Sequence, residues 1–209
     1  ILVNYNDRLR DVMTVAHELG HGVHQYLSRK VGYLQSHAPL ILAETASVFA
    51  EMIVFNQLMN TETDPKVRLG LLCHKLEDTF ATIFRQVVLT LFEQNLHKAR
   101  REEGELTTDQ IDKIWIEVNS PMYGDSVYLT ENYSHWWMYI PHFIHSPFYC
   151  YSYAFGELLA LALLQKYRKQ GGEFIPQYFE LLSAGGSETP SVLLSNIGVD
   201  ITDPKFYQG

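Results

Sequence analysis

The chain has 209 residues, with 16 Lys and Arg against 24 Asp and Glu, so its formal net charge is −8. Hydrophobic residues at 46% and charged residues at 19% exclude a disordered chain and allow a sizeable core. The acidic balance, without a basic cluster, argues against nucleic acid as a partner, and no uncharged apolar run approaches the ~20 residues of a membrane span.

Ile1 to Tyr5, ILVNY, is a β-like run too short for more than an edge strand. Asp7 or Asp11 can cap a helix running to about Ser28. Gly32 and Pro39 bracket a loop, and a second, apolar helix is expected over residues 40–59. Asp64-Pro65 makes a good cap and first helical position. From there Leu72, Leu76, Phe80, Phe84, Val87 and Leu91 recur at 3–4 spacing in a helix reaching about Arg101, which Gly104 ends. Thr107 or Thr108 starts a shorter helix to about Asn119, and residues 120–147 read as an ordered aromatic-rich loop. Helices are expected over residues 148–170, 174–183 and 190–196, punctuated by Gly171-Gly172 and Gly185-Gly186. There is no internal repeat or evident linker, so residues 1–209 read as one mostly α domain. Ile1 in place of an initiating Met gives the expectation that it is part of a longer chain.

The informative residues are His17-Glu18-Leu19-Gly20-His21. Four helical residues turn ~400°, which leaves His17 and His21 within ~40° of one face, one turn apart. Two neutral imidazoles so placed can share one zinc ion at ~2.1 Å. Glu18, ~100° round from His17, can reach a water at the metal without ligating the metal, as a general base must. The bland alternative is a helix with two unrelated histidines. The apolar flanks Val12, Val15, Ala16, Leu19 and Val23 weigh against it, because a polar cluster buried among them needs partners.

A catalytic zinc usually takes three protein ligands and keeps one position open. The candidates for the third are His24, His37, Glu44 and Glu51. His24 lies seven residues from His17, ~10 Å along a straight helix, so it is read as a residue behind a ligand, beside the substrate or in helix packing. The longer pattern HExxHxxGxxH is absent, since its last two positions are held by His24 and Leu27. Glu44 sits in the apolar stretch LILAETASVFAE, where a lone buried carboxylate is expensive unless paired or metal-bound. It is therefore favoured over Glu51, which shares its face to within ~20° and can orient a histidine N–H. Two cysteines, Cys73 and Cys150, exclude a disulfide framework or a cysteine zinc ribbon and fit a reducing, cytoplasmic setting.

The blocks LRDVMTVAHELGHGVHQYLSRK, ILAETASVFAEMIVFNQLM, YIPHFIHSPFYCYSYAFGELLALALL and LLSAGGSETPSVLLSNIGVDITDPKFY resemble the thimet-oligopeptidase (M3) family of zinc metallopeptidases, most closely its oligoendopeptidase F branch. The resemblance implies a zincin-like helical catalytic domain with an internal channel. It implies one zinc ion held by His17, His21 and Glu44, with Glu18 as the catalytic glutamate. His142 matches a histidine that contacts substrate, and Tyr153 a tyrosine that stabilises the oxyanion; Tyr149 and Tyr151 match the substrate-binding tyrosines more loosely. The substrates implied are short peptides, cleaved internally. Family members are much longer, and the N-terminal portion that forms the opposite channel wall is absent from these 209 residues.

Physically, a buried tyrosine hydroxyl wants a partner, and a phenol stays protonated at neutral pH, so it can donate to a developing oxyanion. On a helix Tyr149 and Tyr153 share a face while Tyr151 points away. The competing reading of PFYCYSYAF is an aromatic helix packed into a core. A reading from another class is a non-catalytic zinc-binding or interaction domain on the same scaffold; metal content together with a quenched-peptide assay separates the two.

Overall fold

The computed structural model describes residues 1–208, with residues 9, 207 and 208 described by their backbone only. The chain forms two compact units. One joins Ile1–Glu77 to the chain from Phe155 onward, and the other is Asp78–Ala154.

In the first unit, α1 spans Leu9–Ser28. Asp11 in its first turn ties down the chain just before it, its carboxylate accepting from Asn6 N at 2.7 Å and from the N-cap Arg8 N at 3.2 Å. Asp11, not Asp7, is thus the acid that starts the helix. The expected edge strand does not form: residues 1–6 have no regular structure, and no strand is present among the described residues. ILVNY has no strand to pair with.

After two single-turn 3-10 segments, Arg29–Val31 and Tyr33–Gln35, Pro39 leads into α2, Leu40–Thr61. By length and composition α2 could cross a membrane. It is apolar nearly all round because six consecutive residues, Glu44 to Phe49, are buried. Leu42, Ala46, Phe49 and Met52 pack with Leu159 and Leu163 of α7 (Tyr151–Gln170), Phe174, Tyr178 and Leu182 of α8 (Phe174–Ser183) and Leu194 of α9 (Pro190–Asn196).

Two glycines set how closely α2 is approached. A Cβ on Gly20 would lie 2.7 Å from the Ala46 carbonyl oxygen and from Ser47 Cα, so α1 and α2 meet backbone to backbone there. A Cβ on Gly156 of α7 would lie 2.8 Å from Glu44 Cβ. Gly156→Ala is therefore expected to cost ~1–3 kcal/mol of stability by overpacking and to weaken metal binding by shifting Glu44. Thermal unfolding and metal titration of the variant check this; unchanged affinity would separate Gly156 from the site.

The helix expected from Pro65 to about Arg101 is present as α3 (Pro65–Phe80), a π-helical turn (Ala81–Arg85) and α4 (Gln86–Glu103). Asp64 Oδ1 accepts from Lys66 N at 2.8 Å, as a cap should. The stripe Leu72, Leu76, Phe80, Phe84, Val87 and Leu91 is exposed along its whole length. The residues buried instead are Leu71 in α3 and Val88, Leu89 and Phe92 in α4. Two apolar stripes run side by side here, and periodicity alone does not say which is covered.

In the second unit, α5 (Thr108–Tyr123) opens on a capping box: Thr107 accepts from Gln110 N, and Gln110 Oε1 accepts from Thr107 N at 2.8 Å. It passes Asn119 and Pro121 by one turn. Gly124 N–H donates to the Ser120 carbonyl at 3.0 Å and the Ser120 hydroxyl to the Ile116 carbonyl at 2.7 Å, which holds that turn together. Much of the expected loop is a 3-10 stretch, Glu131–Tyr139, followed by the one-turn helix α6, His142–His145. Asp112 of α5 anchors the stretch, accepting from Trp137 Nε1 at 2.7 Å and pairing with His135 Nδ1 at 2.8 Å. Leu89, Phe92, Trp115, Ile140 and Cys150 form the core of this unit.

Candidate metal centre

His17, Glu18 and His21 all lie on α1, and Glu44 and Glu51 on α2. Gly20, between the histidines, permits the close crossing that faces His17 and His21 toward Glu44. The Glu44 carboxyl is 3% exposed. Its Oε2 lies 3.7 Å from His17 Nε2 and 3.9 Å from His21 Nε2, and the two imidazole nitrogens are 3.1 Å apart. Ser47 Oγ stands 3.4 Å from the same carboxylate oxygen. These three ligand atoms form the one group of this kind among the described residues.

His17 Nδ1 meets Glu51 Oε1 at 2.6 Å. With that nitrogen donating to the carboxylate, a neutral His17 presents Nε2 as a lone pair. An imidazole lone pair, a second imidazole and a carboxylate then converge on one point, a donor set that calls for a cation. Tetrahedral ligands at ~2.0–2.1 Å from zinc lie about 3.3 Å apart, close to the observed separations. The set therefore fits a zinc ion.

Burial opposes protonation of His17. The Glu51 hydrogen bond and the charges of Glu51, Glu44 and Glu18 outweigh it and hold the imidazole above its ordinary value. Burial, with His21 beside it, pushes His24 down to about 4, so His24 is neutral at pH 7. His24 is outside the ligand group. It lines a cavity of about 210 Å³ with His21, Gln25, Ser28, Ser36 and His37. His37 likewise takes no part in the ligand group.

Glu51 orients His17. Its replacement by alanine is expected to weaken metal affinity by about 10–100-fold while leaving the three ligands in place. Metal titration against a competing chelator checks this; an unchanged affinity would remove Glu51 from the site.

The remaining sequence-expected residues gather in the second unit. His142 opens α6 rather than standing on a loop, and its Nε2 is 3.2 Å from the Tyr153 hydroxyl. Tyr149 packs 5.1 Å from the Tyr153 ring and 5.6 Å from that of His142. The helix expected from residue 148 begins at Tyr151 because Phe148 has φ +58°. Tyr149 therefore precedes α7, yet it still meets Tyr153. Tyr151 is 44% exposed and stands outside this ring cluster.

Sequence reasoning missed Gly156 and Ser47 beside Glu44, and Gly20 at the crossing of α1 and α2. It also missed the ion pair between Lys75 Nζ and the buried Glu157, at 3.3 Å. The two glycines carried a signal, since glycine inside a helix needs a packing reason; the serine and the ion pair carried none.

The profile of Peptidase family M3 matches residues 1–209. Oligopeptidase PepF of Bacillus subtilis (strain 168) is 34% identical, over 98% of this chain and 31% of its own length. The plasmid-encoded oligoendopeptidase F of Lactococcus lactis subsp. cremoris is 33% identical, over 99% of this chain and 34% of its own. The crystal structure of oligoendopeptidase-F from Enterococcus faecium superposes with a TM-score of 0.78 at 32% identity, covering 96% of this chain and 36% of that one. The chain thus spans about a third of the length of the relatives it matches. With its profile match running from the first residue to the last, the chain belongs to peptidase family M3.

Proposed function

We propose that this chain carries the machinery of a zinc-dependent endopeptidase that hydrolyses internal bonds of short oligopeptides. The observation that carries the reading is the convergence of His17 Nε2, His21 Nε2 and Glu44 Oε2, with Glu51 behind His17. The names of the oligopeptidase and oligoendopeptidase relatives support the substrate class. A zinc ion in this set supplies Lewis acidity, polarising a scissile carbonyl and acidifying water.

The protein's own residues do the rest. Glu18 follows His17 directly on α1, so its carboxylate stands beside the ligand group rather than in it. It takes the proton of the attacking water and returns it to the leaving amine, which needs a proton to depart. Glu44, buried behind the two histidines, would balance part of the cation's charge. Glu51 holds the His17 tautomer.

Tyr153 is assigned the oxyanion on the strength of the family resemblance. When His142 Nε2–H donates to the phenol oxygen, the phenol proton is directed away from the imidazole and toward an incoming acceptor. His142, Tyr149 and Tyr151 are kept as substrate-contacting residues on the same basis.

The test is made on the full-length protein. Metal analysis should find one zinc per chain, and internally quenched peptides with blocked termini should be cut inside the sequence. Tyr153→Phe should keep the zinc and lower kcat by about 10²–10³. A metal-loaded full-length protein that cuts no peptide would overturn the reading.

A further inference from the structure

Glu93 lies on α4, in the second unit, and is fully buried. A carboxylate in an apolar core is unfavourable unless it has something to hold. Glu93 Oε1 accepts from Phe148 N at 2.8 Å, while no hydrogen bond reaches its Oε2 among the described residues. His97 Nε2 stands 4.0 Å from Oε1, one turn along the same helix. Among the described residues, the hydrogen bond to the buried Glu93 carboxyl is thus that of the Phe148 N–H.

That N–H belongs to a strained residue. Phe148 has φ +58°, a left-handed conformation that glycine adopts readily and a phenylalanine does not. The chain turns there so that Tyr149 N–H reaches the Ser146 carbonyl at 3.1 Å and Ser152 N–H the Tyr149 carbonyl at 2.9 Å. This turn fixes the start of α7, and with it the placement of Tyr149 and Tyr153 against His142. The Phe148 ring leans on His97 at 4.9 Å, a second tie to α4.

The geometry points to Glu93 as a positioning residue: its buried carboxylate pins the Phe148 turn and so sets the Tyr149–Tyr153–His142 cluster. The inference rests on the proposed role of Tyr153 in the reaction. Leucine fills a similar volume without an acceptor, whereas glutamine keeps an oxygen for the Phe148 N–H.

Full-length Glu93→Leu is expected to lose kcat on the order of 10²-fold, the scale of a small misplacement of a reacting group, with KM and zinc content near parental. Glu93→Gln should stay near parental. Phe148→Gly, which takes the left-handed turn without strain, should restore most of the kcat of Glu93→Leu. It also supplies a folded background should leucine alone not fold. In the Tyr153→Phe background Glu93→Leu should add little, because both changes remove the same interaction.

A full additive loss in that background, or a Glu93→Gln protein as impaired as Glu93→Leu, would overturn the inference and leave the zinc site untouched. Amide hydrogen exchange across residues 146–153 reads the turn without any turnover. It should accelerate in Glu93→Leu and not in Glu93→Gln. Unchanged exchange in Glu93→Leu would overturn the inference, whereas accelerated exchange in a protein with no peptidase activity would instead count against the proposed function.

Discussion

Glu18→Gln in the full-length protein is expected to keep parental zinc content and to lose about 10²–10⁴-fold in kcat, with little change in thermal stability. Glutamine has the size and hydrogen-bonding reach of glutamate but cannot take a proton at neutral pH. Glu18 is outside the ligand group formed by His17, His21 and Glu44. Its loss should therefore be felt in proton transfer and not in metal retention. The pair of measurements that checks this is metal analysis beside turnover of a quenched peptide. Near-parental turnover would remove Glu18 from the reaction; loss of zinc would make it part of the metal-holding shell.

Glu44→Gln is expected to have the other large effect, on metal. Glu44 would supply the one carboxylate ligand of the three, from a position 3% exposed. Without it, two imidazoles remain, and affinity should fall well beyond the ~10–100-fold that loss of an orienting partner such as Glu51 costs. Stability separates the two forms. In the parental protein zinc should raise the unfolding temperature by mass action, since the metal binds the folded chain. In Glu44→Gln that increment should vanish. A preserved zinc-dependent increment would mean that another group completes the site.

The meeting of His17, His21 and Glu44 was legible in the sequence because its chemistry is local. Two histidines one turn apart and an acid in an apolar helix each announce themselves by residue type, and their meeting needs only that α2 return along α1. The ETAS block and the His-to-Tyr block made the family legible as well. What stayed hidden depends on contacts between distant parts of the chain. Gly20 and Gly156 matter because of what lies opposite them, Ala46 and Glu44, and a single sequence does not say what lies opposite.

The same reason explains the misjudged boundaries. The turn at Phe148 delays α7 by three residues because Glu93, 55 positions earlier, accepts the Phe148 N–H. The aromatic stretch after α5 is helical because Asp112 holds Trp137 and His135. The apolar stripe from Leu72 to Leu91 met the helical period, yet the covered stripe lies one position away. In the first two cases a side chain far along the chain decides where a helix begins or forms.

The most direct test of the central claim is anomalous diffraction at the zinc edge from crystals of the zinc-loaded protein. A single peak is expected within ~2.0–2.2 Å of His17 Nε2, His21 Nε2 and a Glu44 carboxylate oxygen, with Glu51 still on His17 Nδ1. A peak elsewhere, or one that the Glu44 carboxyl does not touch, would contradict it.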